Sequence, residues 1–408
     1  MVALIRKITI QDFFFIGFLF FLPLNENVNT WFLIGFFLSS LFALKKKSNR
    51  QLLIDTKSLL IISSILFFLR LGGLFNAISF DVGLKELVRS VSFIALPFSI
   101  LLLIRKHKQN QILFFFKLLT AGVLTAIIIC WTYSISAVVR NNEPLLNIIG
   151  WKRSNEYLTR IIDMHPPYLG LIIAVCIIYL VYRLNDGRKW LKICVIVFLF
   201  LFLLNLAARN AIVFLILVLF VHLLLKRKWK TIIFTLTIIL GFGIVVNDKQ
   251  ANFFRRKYIK MLNPYDELAD QRFNRFKASW NIFVEYPVFG SGMGNDDLLR
   301  VQKYKAFGDT LAYESRYNAH NQYLEYLSTF GIIGLLLFLY VLYKFFKLSL
   351  SHREYLFFVL LSMFCFACLS ESILERELGI KIFGLIVGLL IYSIKMNRIT
   401  PIEQNDKL

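Results

Sequence analysis

Residues 318–340 read NAHNQYLEYLSTFGIIGLLLFLY, and residues 271–296 upstream of them read QRFNRFKASWNIFVEYPVFGSGMGND. In the first stretch His320 stands immediately ahead of an apolar run that continues to Lys344. A helix needs ~20 such residues to cross a bilayer, so this run reads as a membrane span. In the second stretch Arg272 and Arg275 lie three apart, which places them on one face of a helix. That helix is expected to end before Pro287, and Gly290, Gly292 and Gly294 mark a tight turn after it. A polar, arginine-bearing segment thus leads into a histidine at the mouth of a membrane helix.

The rest of the chain agrees with a membrane protein. It is 58% hydrophobic, contains 42 Phe and has a mean hydropathy of +0.65. Backbone groups in lipid must be hydrogen-bonded internally, so the long apolar runs read as helices. The formal net charge of +22 does not indicate nucleic acid. Its Lys and Arg residues fall in short clusters between apolar runs, as cytoplasmic loops do. Cys130, Cys176, Cys194, Cys365 and Cys368 all sit in apolar runs and read as small packing residues. Arg6 and Lys7 precede an apolar stretch without a small-residue cleavage site, so the N-terminus reads as a first membrane helix.

The fold class expected is all-α polytopic, with about twelve spans near 11–25, 29–45, 58–76, 89–104, 112–135, 167–183, 190–206, 210–225, 230–247, 322–344, 354–371 and 380–395. Basic clusters at Lys45–Lys47, Arg105–Lys108, Arg183–Lys189, Lys226–Lys230 and Lys344–Arg353 fall on one side and place both termini in the cytoplasm. The chain then divides into nine helices over 1–247, with an outer loop at 136–166. A large extracytoplasmic loop follows at 248–321, between helices nine and ten, and three helices with a short cytoplasmic tail occupy 322–408. Loops beyond ~60 residues do not obey the charge rule, so the basic 248–321 loop fits outside.

Among the histidines, His165 and His320 face outward, each just before a span. A histidine titrates near pH 6.5 and suits proton transfer at neutral pH, although a loop histidine is also commonly just solvated. Arg209, in NLAARNAIVF, stands where two apolar runs leave almost no loop. An arginine at membrane depth costs roughly 2.5–3.5 kcal/mol and usually lines a cavity. Snorkelling to the interface is the plain alternative. Its planar fork would suit a phosphate. Arg70, in LFFLRLGGLF, raises the same question. The GSGMG turn lacks the Gly-Lys-Ser/Thr ending of a nucleotide loop. Asp266, Asp270, Asp296 and Asp297 lack a histidine or third carboxylate at metal-ligand spacing, so no metal is assigned.

Three segments together resemble the O-antigen ligase family, whose relatives include O-antigen polymerases and protein O-oligosaccharyltransferases. Ala208-Arg209 matches the arginine of a Ser-Arg pair that opens a span. Arg272, followed by an amphipathic stretch and Pro287-Val-Phe-Gly290-Ser-Gly292, matches the outer loop, with Phe276 where a Trp is common. His320-Asn321-Gln-Tyr-Leu324 and Gly331-Ile-Ile-Gly334 match the segment after it. The strong likeness covers about residues 200–345, and earlier spans match only in hydropathy and count. HPPY at His165–Tyr168, and the turn near Glu371 and Arg376, resemble segments of some relatives less specifically.

The resemblance implies a C-type glycosyltransferase-like membrane fold and a metal-independent enzyme without a cofactor, sited in the bacterial inner membrane with its active site periplasmic. The donor implied is a glycan on undecaprenyl diphosphate. The acceptor is lipid A-core, as in O-antigen ligation during lipopolysaccharide biosynthesis, or another glycan, as in a polymerase. Arg209 and Arg272 are implied to bind the diphosphate, and His320 to act as base or orient the acceptor. Arg275, His165, Arg70 and Glu371 are further candidates. Partners are then membrane lipids and these substrates, not nucleic acid. A transporter or flippase is the rival class. Transporter halves usually repeat with broken helices at matching places, and no such symmetry is visible here.

Overall fold

The computed structural model describes residues 9–103, 111–144, 147–148, 153–225 and 267–399, with the side chains of 222–225, 267–272 and 398–399 excepted. Among the described residues the regular structure is helical, with no strand. In chain order the helices are α1 (Ile10–Phe21), α2 (Glu26–Ala43), α3 (Lys47–Gly73), α4 (Phe80–Ser90), α5 (Ser92–Leu101), α6 (Gln111–Arg140), α7 (Glu156–Thr159), α8 (Pro166–Tyr182), α9 (Lys189–Leu206) and α10 (Arg209–Leu225). They continue as α11 (Glu267–Glu285), α12 (Asn295–Ala306), α13 (Thr310–Ser315), α14 (Gln322–Ser351), α15 (Tyr355–Cys368) and α16 (Glu377–Ile399).

Helix lies at each of the twelve stretches read as spans except 230–247, which is outside the described residues. By length and apolarity, five described helices can cross a membrane: the segments Lys47–Asn76, Gln111–Arg140, Lys189–Leu206, Gln322–Ser351 and Glu377–Asn397. A sixth is added if Glu156–Ile162 and Pro166–Tyr182, bent by 82°, form one broken span. Ile10–Phe21, Arg209–Val221 and Tyr355–Cys368 are apolar but shorter than the ~20 residues a lone span requires.

α16 is the centre of the bundle. Of its most apolar window 94% is buried, against 22% for α3, and a helix that is apolar all round belongs inside. It packs on α5, where Phe93 and Phe383 meet edge to face at 5.9 Å between ring centres. α15 and α8 lie on the same core, with Leu360, Phe364, Leu169 and Ile173 fully buried.

The described part of the segment expected as a loop before α14, from residue 267 on, is built of three helices, and its 286–294 turn is wedged into α14. At Gly331 α14 leaves helical geometry, with φ 66° and ψ −164°. Such a break frees carbonyls and amides that would be costly to leave unpaired. The turn satisfies them. Ser291 N donates to Ser328 O (2.9 Å) and Gly292 N to Thr329 O (3.0 Å), while Ile332 N and Ile333 N donate to Pro287 O and Val288 O (2.9 and 3.4 Å). Glycine is required on both sides of this contact. A Cβ on Gly331 would lie 2.3 Å from Val288 O, and one on Gly290 would lie 2.3 Å from the Thr329 carbonyl. Beyond the break, Ile78 N donates to Met293 O (3.4 Å) and Asn295 Nδ2 to Asn76 O (2.8 Å), tying the turn to the end of α3 as well.

Candidate functional site

Three helices begin at one place. Pro166 and Pro167 open α8 with His165 as its N-cap. At the start of α10, Ala207 adopts a left-handed conformation (φ 52°) that reverses the chain within two residues of α9, leaving Arg209 as the first helical residue. Asn321 caps α14, its Oδ1 accepting from Tyr323 N and Leu324 N at 3.0 Å each. His320, just before it, is also left-handed (φ 47°), and its N–H donates to Asn318 Oδ1 at 3.1 Å. Helix N-termini carry partial positive charge, so their meeting point favours an anion.

Between them lies a cavity of about 280 Å³. Arg209, Arg275, His165, His320 and Glu371 all line it, together with Glu156, Tyr317 and an apolar wall from Leu171, Met363 and Ala367. Five candidates from widely separated segments therefore share one space. Arg275 is buried, on the inward face of α11, and its guanidinium stacks 4.0 Å over the Tyr317 ring. Tyr317 in turn meets His320 edge to face, with ring centres 5.6 Å apart. His320 Nδ1 lies 3.2 Å from Glu371 Oε2. The two groups are within ion-pair distance without a hydrogen bond between them. On the other wall, burial and then Arg376 lower the pKa of His165, whose Nε2 is 3.9 Å from Glu156 Oε1. That imidazole is therefore held neutral at neutral pH.

Arg272 lies on α11, but its side chain is outside the described residues. Arg70 lies outside the cavity. It is 1% exposed, pairs with Glu375 at 2.8 Å and donates to Leu374 O at 2.8 Å. Arg70 clamps the turn that carries Glu371. The same turn accepts from Asn321 Nδ2 at Leu369 O (3.0 Å) and from the Tyr168 hydroxyl at Ile373 O (3.3 Å). Leu374 N donates to Gln322 Oε1 (2.6 Å), and Ser372 Oγ to Glu325 Oε2 (2.8 Å). Glu371 is thus presented by a segment held from three helices, α3, α8 and α14.

Beneath the cavity is an ionic cluster that sequence spacing did not show. Arg300 is fully buried and pairs with Asp296 (2.6 Å), Asp297 (2.5 Å) and Glu325 (2.7 Å). The third carboxylate, absent by spacing, comes from Glu325 on α14, so three carboxylate groups do lie within 4.8 Å of one another. The Arg300 guanidinium occupies their centre. With Glu86 and Glu375 nearby, five carboxyl groups face two guanidiniums, Arg70 and Arg300. Burial raises Asp296 to about 6 and also pushes up Asp297, Glu86 and Glu375. Glu86, pushed up to about 8, therefore holds its proton at neutral pH.

Residues 194–339 match the family described as O-antigen ligase. The match spans Arg209, Arg272, Arg275 and His320, and stops short of His165 and Glu371. No curated protein matches the chain.

Proposed function

We propose, from this family match and the convergence of Arg209, Arg275, His320 and Glu371 on one cavity, that the chain transfers a glycan from a polyprenyl diphosphate to an acceptor hydroxyl at the membrane surface. The convergence is the observation that carries the reading, because the family match alone does not reach Glu371. In the ligase form of the reaction the donor is undecaprenyl-diphosphate-linked O-antigen and the acceptor lipid A-core, outside the inner membrane.

The acceptor oxygen attacks the anomeric carbon, forming the new glycosidic bond. The bond from that carbon to the phosphate oxygen breaks, and the lipid diphosphate departs with the electron pair. Negative charge grows on the leaving group, so Arg209 and Arg275 stabilise the transition state more than the ground state. Arg272 joins them in this proposal as the family's matched arginine. The three helix N-termini act in the same direction. His320 takes the hydroxyl proton at Nε2, and Glu371 stabilises the imidazolium so formed. The apolar wall of Leu171, Met363 and Ala367 offers the lipid end of the donor a surface that needs no water.

The test is transfer by the purified protein in proteoliposomes, given a synthetic undecaprenyl-diphosphate glycan. One arm supplies lipid A-core and the other only further donor. Product on lipid A-core supports ligation, and lengthened glycan on the carrier supports polymerisation. Absence of either product from folded protein refutes the reading.

A further inference from the structure

α11 has two unlike faces. Arg275, Ala278 and Ile282 are buried, Ala278 in a small core with Tyr304 and Ala312. On the opposite side Phe273 (62% exposed), Trp280 (50%) and Val284 (60%) repeat at intervals of seven and four, forming one stripe with Lys277 among them. The stripe continues into the wedge, where Val288 is 48% and Phe289 66% exposed. Water is a poor environment for so much contiguous apolar surface.

What covers it follows from the wedge. Pro287 and Val288 accept hydrogen bonds from Ile332 and Ile333, the residues at which the apolar part of α14 begins. Ile332, Ile333 and Leu336 are themselves exposed on a helix apolar enough to cross a membrane, so they face lipid. The exposed tip of the wedge sits at the same level as these residues. A Lys on the stripe also suits phosphate headgroups.

We propose that the stripe Phe273–Trp280–Val284 and the wedge tip Val288–Phe289 rest in the phospholipid leaflet that α14 enters, making α11 an interfacial helix. Its apolar face reaches the boundary between headgroups and acyl chains, about 5–10 Å deep. Arg275, on the reverse face, is thereby fixed at headgroup level. That this is also where a lipid-linked diphosphate would lie rests on the function proposed above, whereas the lipid contact itself does not.

The experiment compares the fluorescence of wild type and Trp280→Phe in phospholipid nanodiscs, their difference being the emission of Trp280. The expected result is loss of the larger part of that emission to phospholipid brominated near the headgroup end of its chains. Phospholipid brominated at the chain ends quenches less, and aqueous iodide least. Phe289→Trp adds a second reporter at the wedge tip and gives the reading if Trp280→Phe fails to fold. Quenching by iodide in place of lipid overturns the proposal. Protection from both also overturns it, since another part of the chain then covers the stripe. Neither readout needs activity, so a catalytically inert protein with lipid-quenched Trp280 refutes only the proposed function.

Discussion

Replacing Gly331 with alanine tests whether the wedge holds α14 in its broken form. The glycine lies at φ 66° and ψ −164°, a region that costs other residues about 1–3 kcal/mol. The new methyl would also meet Val288 O at 2.3 Å and Gly290 N at 2.6 Å, both backbone atoms that cannot swing aside. Relief requires moving the turn, which strains the bonds from Ile332 N and Ile333 N, each contributing about 1 kcal/mol. The total is about 3–5 kcal/mol. At roughly 1 °C per kcal/mol for a chain of this length, the apparent melting temperature should fall by about 3–5 °C. Gly72→Ala is the control, because a Cβ there meets nothing within 4 Å in a helix where alanine is favoured. The assay is thermal unfolding of detergent-purified protein, followed by loss of the monodisperse chromatographic peak. Equal melting of the two variants would refute the wedge as a stabilising contact.

His320→Ala is expected to slow transfer by about 10²–10⁴-fold with donor binding retained, measured as turnover and donor affinity in proteoliposomes. His165→Ala is the comparison, and an inactive His165→Ala beside an active His320→Ala would move the proton-transfer role across the cavity. Arg209→Ala should abolish transfer, with Arg209→Lys recovering little because lysine lacks the planar fork, at protein levels checked by blot. Full activity of Arg209→Ala would leave only snorkelling. For pH, the native state prefers Asp296 protonated, so its contribution is complete below about 4 and is lost as pH rises through about 6. A rise from 3.8 to about 6 is worth about 3 kcal/mol. Melting temperature should therefore fall between about pH 4 and about pH 6.5, and Asp296→Asn should flatten that fall. An unchanged slope in Asp296→Asn would assign the effect to other groups.

The cavity residues were legible because each breaks a local rule. Arg209 stands where two apolar runs meet, and His165 and His320 each stand at the mouth of one, so their cost or position showed in one dimension. Arg272 stood ahead of Arg275 because the family resemblance matched it, while spacing puts both on one face and does not separate them. Only the packing of Tyr317 shows Arg275 turned into the cavity. Arg300 was not found, since a basic residue in a polar helix looks solvated until Glu325 closes over it from another segment. Arg70 was noticed for the right reason, its depth, but its partner lies in a turn far along the chain. The break at Gly331 was hidden inside a run read as one membrane span. Its signal was the Pro287–Gly292 turn, whose glycines serve that break. The count of spans is harder to read, because helices of 12 and 14 residues, α1 and α15, carry span-like composition without span length.

The Arg70–Glu375 pair joins residues 305 positions apart in the chain. Synthesis at about 5–20 residues per second separates the two by roughly 15–60 s. During that interval α3 has been made and its guanidinium has no native acceptor, a state that costs roughly 2.5–3.5 kcal/mol if the side chain stays at membrane depth. The earliest long helix therefore settles last. The turn that presents Glu371 and the helix bearing Arg70 reach their final places in a single event.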